Sequence, residues 1–167
     1  MLAKPGARQG RLEAEGLSLP CALGRGGMVQ DKQEGDGGTP LGDWPLRRLY
    51  YRADRGATPL TALPSRAIER LDGWCDDPAD PSYNRLVRLP YAARHETMWR
   101  EDGLYDLVVE LGYNDDPVVP GKGSAIFLHI ARPDYAPTEG CVALAEPDLR
   151  RLLARCGPET TLRVELL

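Results

Sequence analysis

Ser124-Ala125-Ile126-Phe127-Leu128-His129-Ile130 is the stretch on which the fold turns. It is apolar almost throughout and far too short to be a membrane span, so it reads as a central strand covered on both faces. A histidine stands near its end. Upstream, Tyr105-Asp106-Leu107-Val108-Val109-Glu110-Leu111 is a second β-branched, apolar stretch, separated from the first by a turn-rich loop from Gly112 to Gly123. Downstream, Thr138-Glu139-Gly140-Cys141-Val142-Ala143-Leu144 leads into the one convincing helix pattern. There Pro147 suits the first helical position, Leu149, Leu152, Leu153 and Cys156 recur at helical spacing, and Gly157-Pro158 ends the element. Thr161 to Leu166 closes the chain as a strand.

Nearer the start, Gly10 to Leu23 predicts two short strands around Glu15-Gly16. A glycine-rich stretch, Gly24 to Gly27, leads to Met28-Val29. From Lys32 to Gly42 the chain is dense in turn formers and predicts a loop. Pro45 to Tyr51 predicts a strand. Residues 52–103 carry Pro59, Pro64, Pro78, Pro81 and Pro90, and predict ordered loops with one short strand at Leu86 to Leu89. A loop region of that length usually crosses a cleft. The expected architecture is mainly β: a sandwich or mixed sheet, long loops and one short packed helix near the C-terminus. The 167 residues are expected to form a single domain.

The formal charge of −4, with no Lys/Arg tract, excludes a phosphate-tracking surface, so no nucleic-acid partner is expected. The opening residues lack the apolar core of a secretory signal. The four cysteines, Cys21, Cys75, Cys141 and Cys156, form no C-x-x-C and no zinc spacing. We expect mostly unpaired thiols, no metal and no cofactor. Asp76-Asp77 and Asp115-Asp116 each precede proline and read as turn or cap residues. His95 reads as a loop-packing residue. Gly24-x-Gly26-Gly27 is not a dinucleotide fingerprint, because no helix pattern follows it.

With two histidines in the chain, the search for an imidazole base is short. His129 and Cys141 fall on elements expected to be neighbours. A thiol has a pKa of about 8.5, which an imidazole or a helix N-terminus lowers by one to several units. His129 could be the base, and the helix opening at Pro147 could aim its N-terminus at Cys141. Gly140 would let the backbone approach a substrate carbonyl, with nearby amides as oxyanion donors. Residue types alone leave two readings open: nucleophile and base, or a buried cysteine and a satisfied core histidine.

His129, a short loop, then Thr138-x-Gly140-Cys141-aliphatic resembles the signature of the L,D-transpeptidase (YkuD-type) catalytic domain. Thr39-Pro40-Leu41-Gly42 looks like that family's Thr-Pro-x-Gly turn, and the resemblance runs in order from about residue 10 to the end. It implies action on bacterial peptidoglycan stem peptides. The cysteine would attack the carbonyl on the L-centre of a diamino acid and release the terminal D-alanine. The thioester would pass to an amine of a second stem, or to water in a hydrolytic L,D-carboxypeptidase. It implies Cys141 as nucleophile, His129 as base, Gly140 as an oxyanion-hole amide and Thr138 as a supporting residue.

Two positions depart from the family pattern: Glu139, where many members carry His or Arg, and Ala143, where many carry Arg or Asn. Carboxylate recognition would then fall to Arg132 or Arg85. Glu139 could face away, orient His129 or meet an acceptor amine, and Tyr83 and Trp74 could line the cleft. Two further readings compete with the enzyme: a non-catalytic binder of wall peptides, and a thiol relay. The oligomeric state is not legible. The substrate implies the periplasm or cell envelope, with cytoplasmic work on wall fragments left open.

Overall fold

A computed structural model describes residues 2–166. In chain order its strands are β1 (Leu2–Ala3), β2 (Gln9–Ala14), β3 (Leu17–Ala22), β4 (Met28–Val29), β5 (Thr39–Pro40), β6 (Gly42–Tyr51), β7 (Ser65–Ala67), β8 (Asp72–Cys75), β9 (Arg85–Arg88), β10 (His95–Thr97), β11 (Leu107–Leu111), β12 (Phe127–Ile130), β13 (Val142–Leu144) and β14 (Thr161–Leu166). The helix α1 (Glu146–Leu153) lies between the last two strands. The protein is mainly β, as its sequence predicts.

Glu15 and Gly16 take φ of 40° and 80°. This is the two-residue turn whose twist matches paired strands, and it closes β2 and β3 as a hairpin with Ala14 opposite Leu17. The main sheet runs β11-β12-β13-β3-β2-β1-β14-β6-β7. β6 is long enough to serve both ends of this series. Its first half pairs with β14 and its second with β11, so the pairings close on themselves.

Alternation sorts the side chains by face. Leu107, Val109, Leu111, Leu128, Val142 and Leu144 share one buried cluster with Leu149, Leu152 and Leu153 of α1. Val108, Phe127 and Cys141 point the other way, into a second cluster with Tyr50, Trp74 and Tyr105. Trp74 and Phe127 meet edge to face at 5.1 Å.

Three expectations need correction. Residues 52–103 are mostly loop but hold more strands than the one expected: β8, β9 and β10 make a three-stranded antiparallel sheet, and β7 extends the main one. Their strands are three or four residues long, too short for a periodic signal. The strand expected from Ser124 begins only at Phe127, because Ala125 turns to a φ of 52°. Finally, β13 separates Cys141 from α1, and α1 packs in the cluster on the opposite face. The helix N-terminus therefore does not serve the thiol.

A knot of glycines fixes the loops beside Cys141. A Cβ on Gly24 would lie 2.1 Å from the Gly37 carbonyl oxygen and 3.0 Å from the Gly140 Cα. A Cβ on Gly35 would meet nothing within 4 Å, and its φ of +78° is the only obstacle. Gly24→Ala should cost about 3 kcal/mol of stability by urea denaturation, because backbone would have to move. Gly35→Ala should cost about 1 kcal/mol. Equal losses would contradict this account of the knot.

Candidate active site

β12 and β13 are parallel, with His129 opposite Ala143 and Leu128 opposite Val142. Cys141 lies two residues before Ala143, so it and His129 project from the same face. Strand spacing and rise put their Cα atoms about 8 Å apart, a span that an imidazole and a thiol can bridge. Both side chains line one open cleft of about 420 Å³.

The sulfur is held by backbone. The Cys141 thiol donates to the Ala125 carbonyl at 3.2 Å and accepts from the Phe127 N–H at 3.4 Å. Ala125 keeps its left-handed conformation because its N–H donates to the Asn84 side-chain oxygen at 3.0 Å. The same oxygen accepts from the Trp74 indole at 3.0 Å.

His129 Nδ1 lies 2.9 Å from the Ile130 carbonyl oxygen. A carbonyl can only accept, so Nδ1 carries the proton and Nε2 keeps a lone pair. The Tyr105 ring packs edge-on against the imidazole at 5.4 Å, and the Tyr105 hydroxyl donates to Glu96 at 2.8 Å.

Burial dominates the electrostatics. Desolvation pushes the His129 imidazole down to about 4, against a smaller raising effect from the Ile130 hydrogen bond. Desolvation, reinforced by the Glu96 charge, pushes the Cys141 thiol up to about 12. This is opposite to the expected direction, because the helix N-terminus lies elsewhere and the imidazole is uncharged. At neutral pH the pair rests as thiol and neutral imidazole.

Thr138 pins the turn that carries the thiol. Its hydroxyl donates to the Cys141 carbonyl at 2.6 Å and accepts from the Gly140 N–H at 3.2 Å. Its backbone bridges Leu23 and Arg25. Gly140 has a φ of +130°, and a Cβ there would lie 2.8 Å from the Gly38 carbonyl oxygen. Since its N–H is engaged by Thr138, an oxyanion would have to compete for it. The Thr39 hydroxyl accepts from the Gly24 N–H at 2.9 Å, so the Thr-Pro-x-Gly turn buttresses the knot behind Gly140.

A family model for the L,D-transpeptidase catalytic domain (YkuD) matches residues 8–165. The chain belongs to that family. No match is found among curated proteins or among solved structures.

Within this transpeptidase-family domain, the remaining candidate residues divide. Glu139 lies at the cleft rim, exposed and paired with Arg25 at 2.8 Å. Arg132 is exposed on the cleft. Arg85 is not brought to it: its guanidinium donates to the Asp115 carbonyl at 2.6 Å, in a separate depression. Trp74 is 4% exposed and packs beneath the site. Tyr83 is buried behind the cleft wall, its hydroxyl bonded to Glu34. Sequence reasoning missed Glu34, Glu96, Arg100, Tyr105 and Ser124, all on the cleft. His95, expected in a loop, opens β10 opposite Cys75, with Nδ1 2.8 Å from the Ala93 carbonyl oxygen. The four cysteines are unpaired. Among the described residues no His, Cys, Asp and Glu side chains group to hold a metal, and no helix is long and apolar enough to cross a membrane.

A depressed His129 pKa links stability to pH. The unfolded chain takes up the proton near 6.5 and the folded protein only near 4, so this stability is complete above 6.5 and is lost as pH falls toward 4. The loss should be about 3 kcal/mol. Denaturation of the wild type should show it, and His129→Gln should lack that component. A pH dependence identical in both proteins would contradict it. Thr138→Val should cost about 1 kcal/mol and slow Cys141 labelling by a peptide thioester, while Thr138→Ser retains both.

Proposed function

We propose that the protein is an L,D-transpeptidase that uses Cys141 and His129 on peptidoglycan stem peptides. The observation that carries the reading is the shared cleft: one thiol and one neutral imidazole on the same sheet face, with Nδ1 committed to the Ile130 carbonyl. Nε2 would take the Cys141 proton as the sulfur attacks the L-centre carbonyl of a diamino acid. The tetrahedral adduct collapses to a thioester, and the proton passes from Nε2 to the departing D-alanine amine. An acceptor amine then attacks, giving its proton to Nε2 and restoring the thiol as the new amide forms. The raised thiol pKa fits a general-base step, in which deprotonation waits for substrate.

Water as acceptor would make the same site an L,D-carboxypeptidase. Arg132 is our candidate for the substrate carboxylate, since Ala143 is small and packs with Ala22 and Ala131. A stem-peptide substrate would put the work in the periplasm or cell envelope, and recycled wall fragments would put it in the cytoplasm.

Incubation with a disaccharide-tetrapeptide should yield either cross-linked dimer or trimmed tripeptide by mass spectrometry, with a thioester on Cys141. Cys141→Ala should give neither, and His129→Gln should lower kcat/KM by about 10²–10⁴. Intact substrate and no adduct on the wild type would leave a non-catalytic peptide binder as the better reading.

A further inference from the structure

The cleft carries more charge than the chemistry uses, and nearly all of it is neutralised internally. Lys32 pairs with Asp36 at 2.5 Å. Arg94 pairs with Asp76 at 3.0 Å and reaches Glu34 at 3.9 Å. Arg100 holds Asp102 at 3.0 Å, and Glu139 holds Arg25. Glu34 also accepts from Ser124 at 2.7 Å. Among the described residues, two lining side chains stand outside this accounting. Glu96 forms no ion pair and accepts only the Tyr105 hydroxyl. Arg132 forms no ion pair or side-chain hydrogen bond, and feels Asp102 only at longer range.

We propose that Glu96 is a subsite for a primary ammonium group on the acyl donor, with Arg132 taking a carboxylate of the same residue. The inference rests on the stem-peptide reading above and deepens it. Glu96 sits on β10, in the wall that holds Tyr105 against His129. A cation bound there lies beside the reacting pair. Tyr105 occupies one carboxylate oxygen through Oε2 and leaves Oε1 for a ligand. Burial raises the Glu96 pKa against the Tyr105 hydrogen bond and the Arg100 charge, and the nearby Asp76 and Glu34 charges add to the rise. An arriving ammonium would relieve that strain. A diamino acid whose far centre keeps its amine and carboxylate presents both charges together.

Calorimetry on Cys141→Ala tests binding without turnover. Two tetrapeptide stems are compared, one with the free side-chain amine and one with that amine acetylated. The free amine should bind about tenfold more tightly, the range for one charge-assisted contact. Adding Glu96→Gln, which keeps an oxygen for Tyr105, should bring the two affinities together. Equal affinities in Cys141→Ala, or a preference that survives Glu96→Gln, would overturn the subsite. Acylation of wild-type Cys141, read by mass, separates the two claims. Acylation without an amine preference sinks the subsite alone. A Glu96-dependent preference without acylation supports the subsite and sinks the acyl-transfer reading.

Discussion

The parallel pairing of β12 with β13 is the constraint on which the site depends. Parallel strands keep opposed residues on one face, and the register of His129 against Ala143 puts Cys141 on that face, two residues back. A slip of one residue would turn the thiol into the opposite cluster with Val142 and Leu144. The register is held from both sides. Apolar side chains fix the inner face, while the glycine knot and the Thr138 hydroxyl fix the turn before β13.

The pairing also explains why the thiol is quiet at rest. Bringing sulfur and imidazole onto a face already packed with Phe127, Tyr105 and Trp74 removes both from water. Desolvation disfavours the charged form of each group and outweighs what opposes it, the Ile130 hydrogen bond at the imidazole and the Phe127 N–H at the sulfur. A neutral pair avoids the cost of separating charge between two buried groups. In the proposed reaction it would leave the proton transfer to be made when a substrate carbonyl is in place.

The sequence showed the fold wherever hydrophobic alternation was long enough to read. The β2–β3 hairpin, β6, β11, β14 and α1 follow from pattern and turn chemistry alone. It failed where long-range hydrogen bonds decide local structure. β8, β9 and β10 are short and proline-flanked, and they exist because they pair with one another. Ala125 leaves the apolar run before Phe127 because Asn84, forty-one positions earlier, holds its amide. The helix N-terminus looked close to Cys141 in sequence, but a strand crossing puts them on opposite faces of a sheet.

The candidate site was legible in its centre and not in its walls. His129, Thr138, Gly140 and Cys141 lie within thirteen residues and carry a spacing. Glu96 and Tyr105 come from distant elements, and neither stands in a motif. The central claim is the protonation state of the pair, and ¹⁵N NMR of histidine-labelled protein at pH 7 reads it directly. The account predicts a neutral His129 ring with its proton on Nδ1. A doubly protonated ring, or a neutral ring with the proton on Nε2, would contradict it.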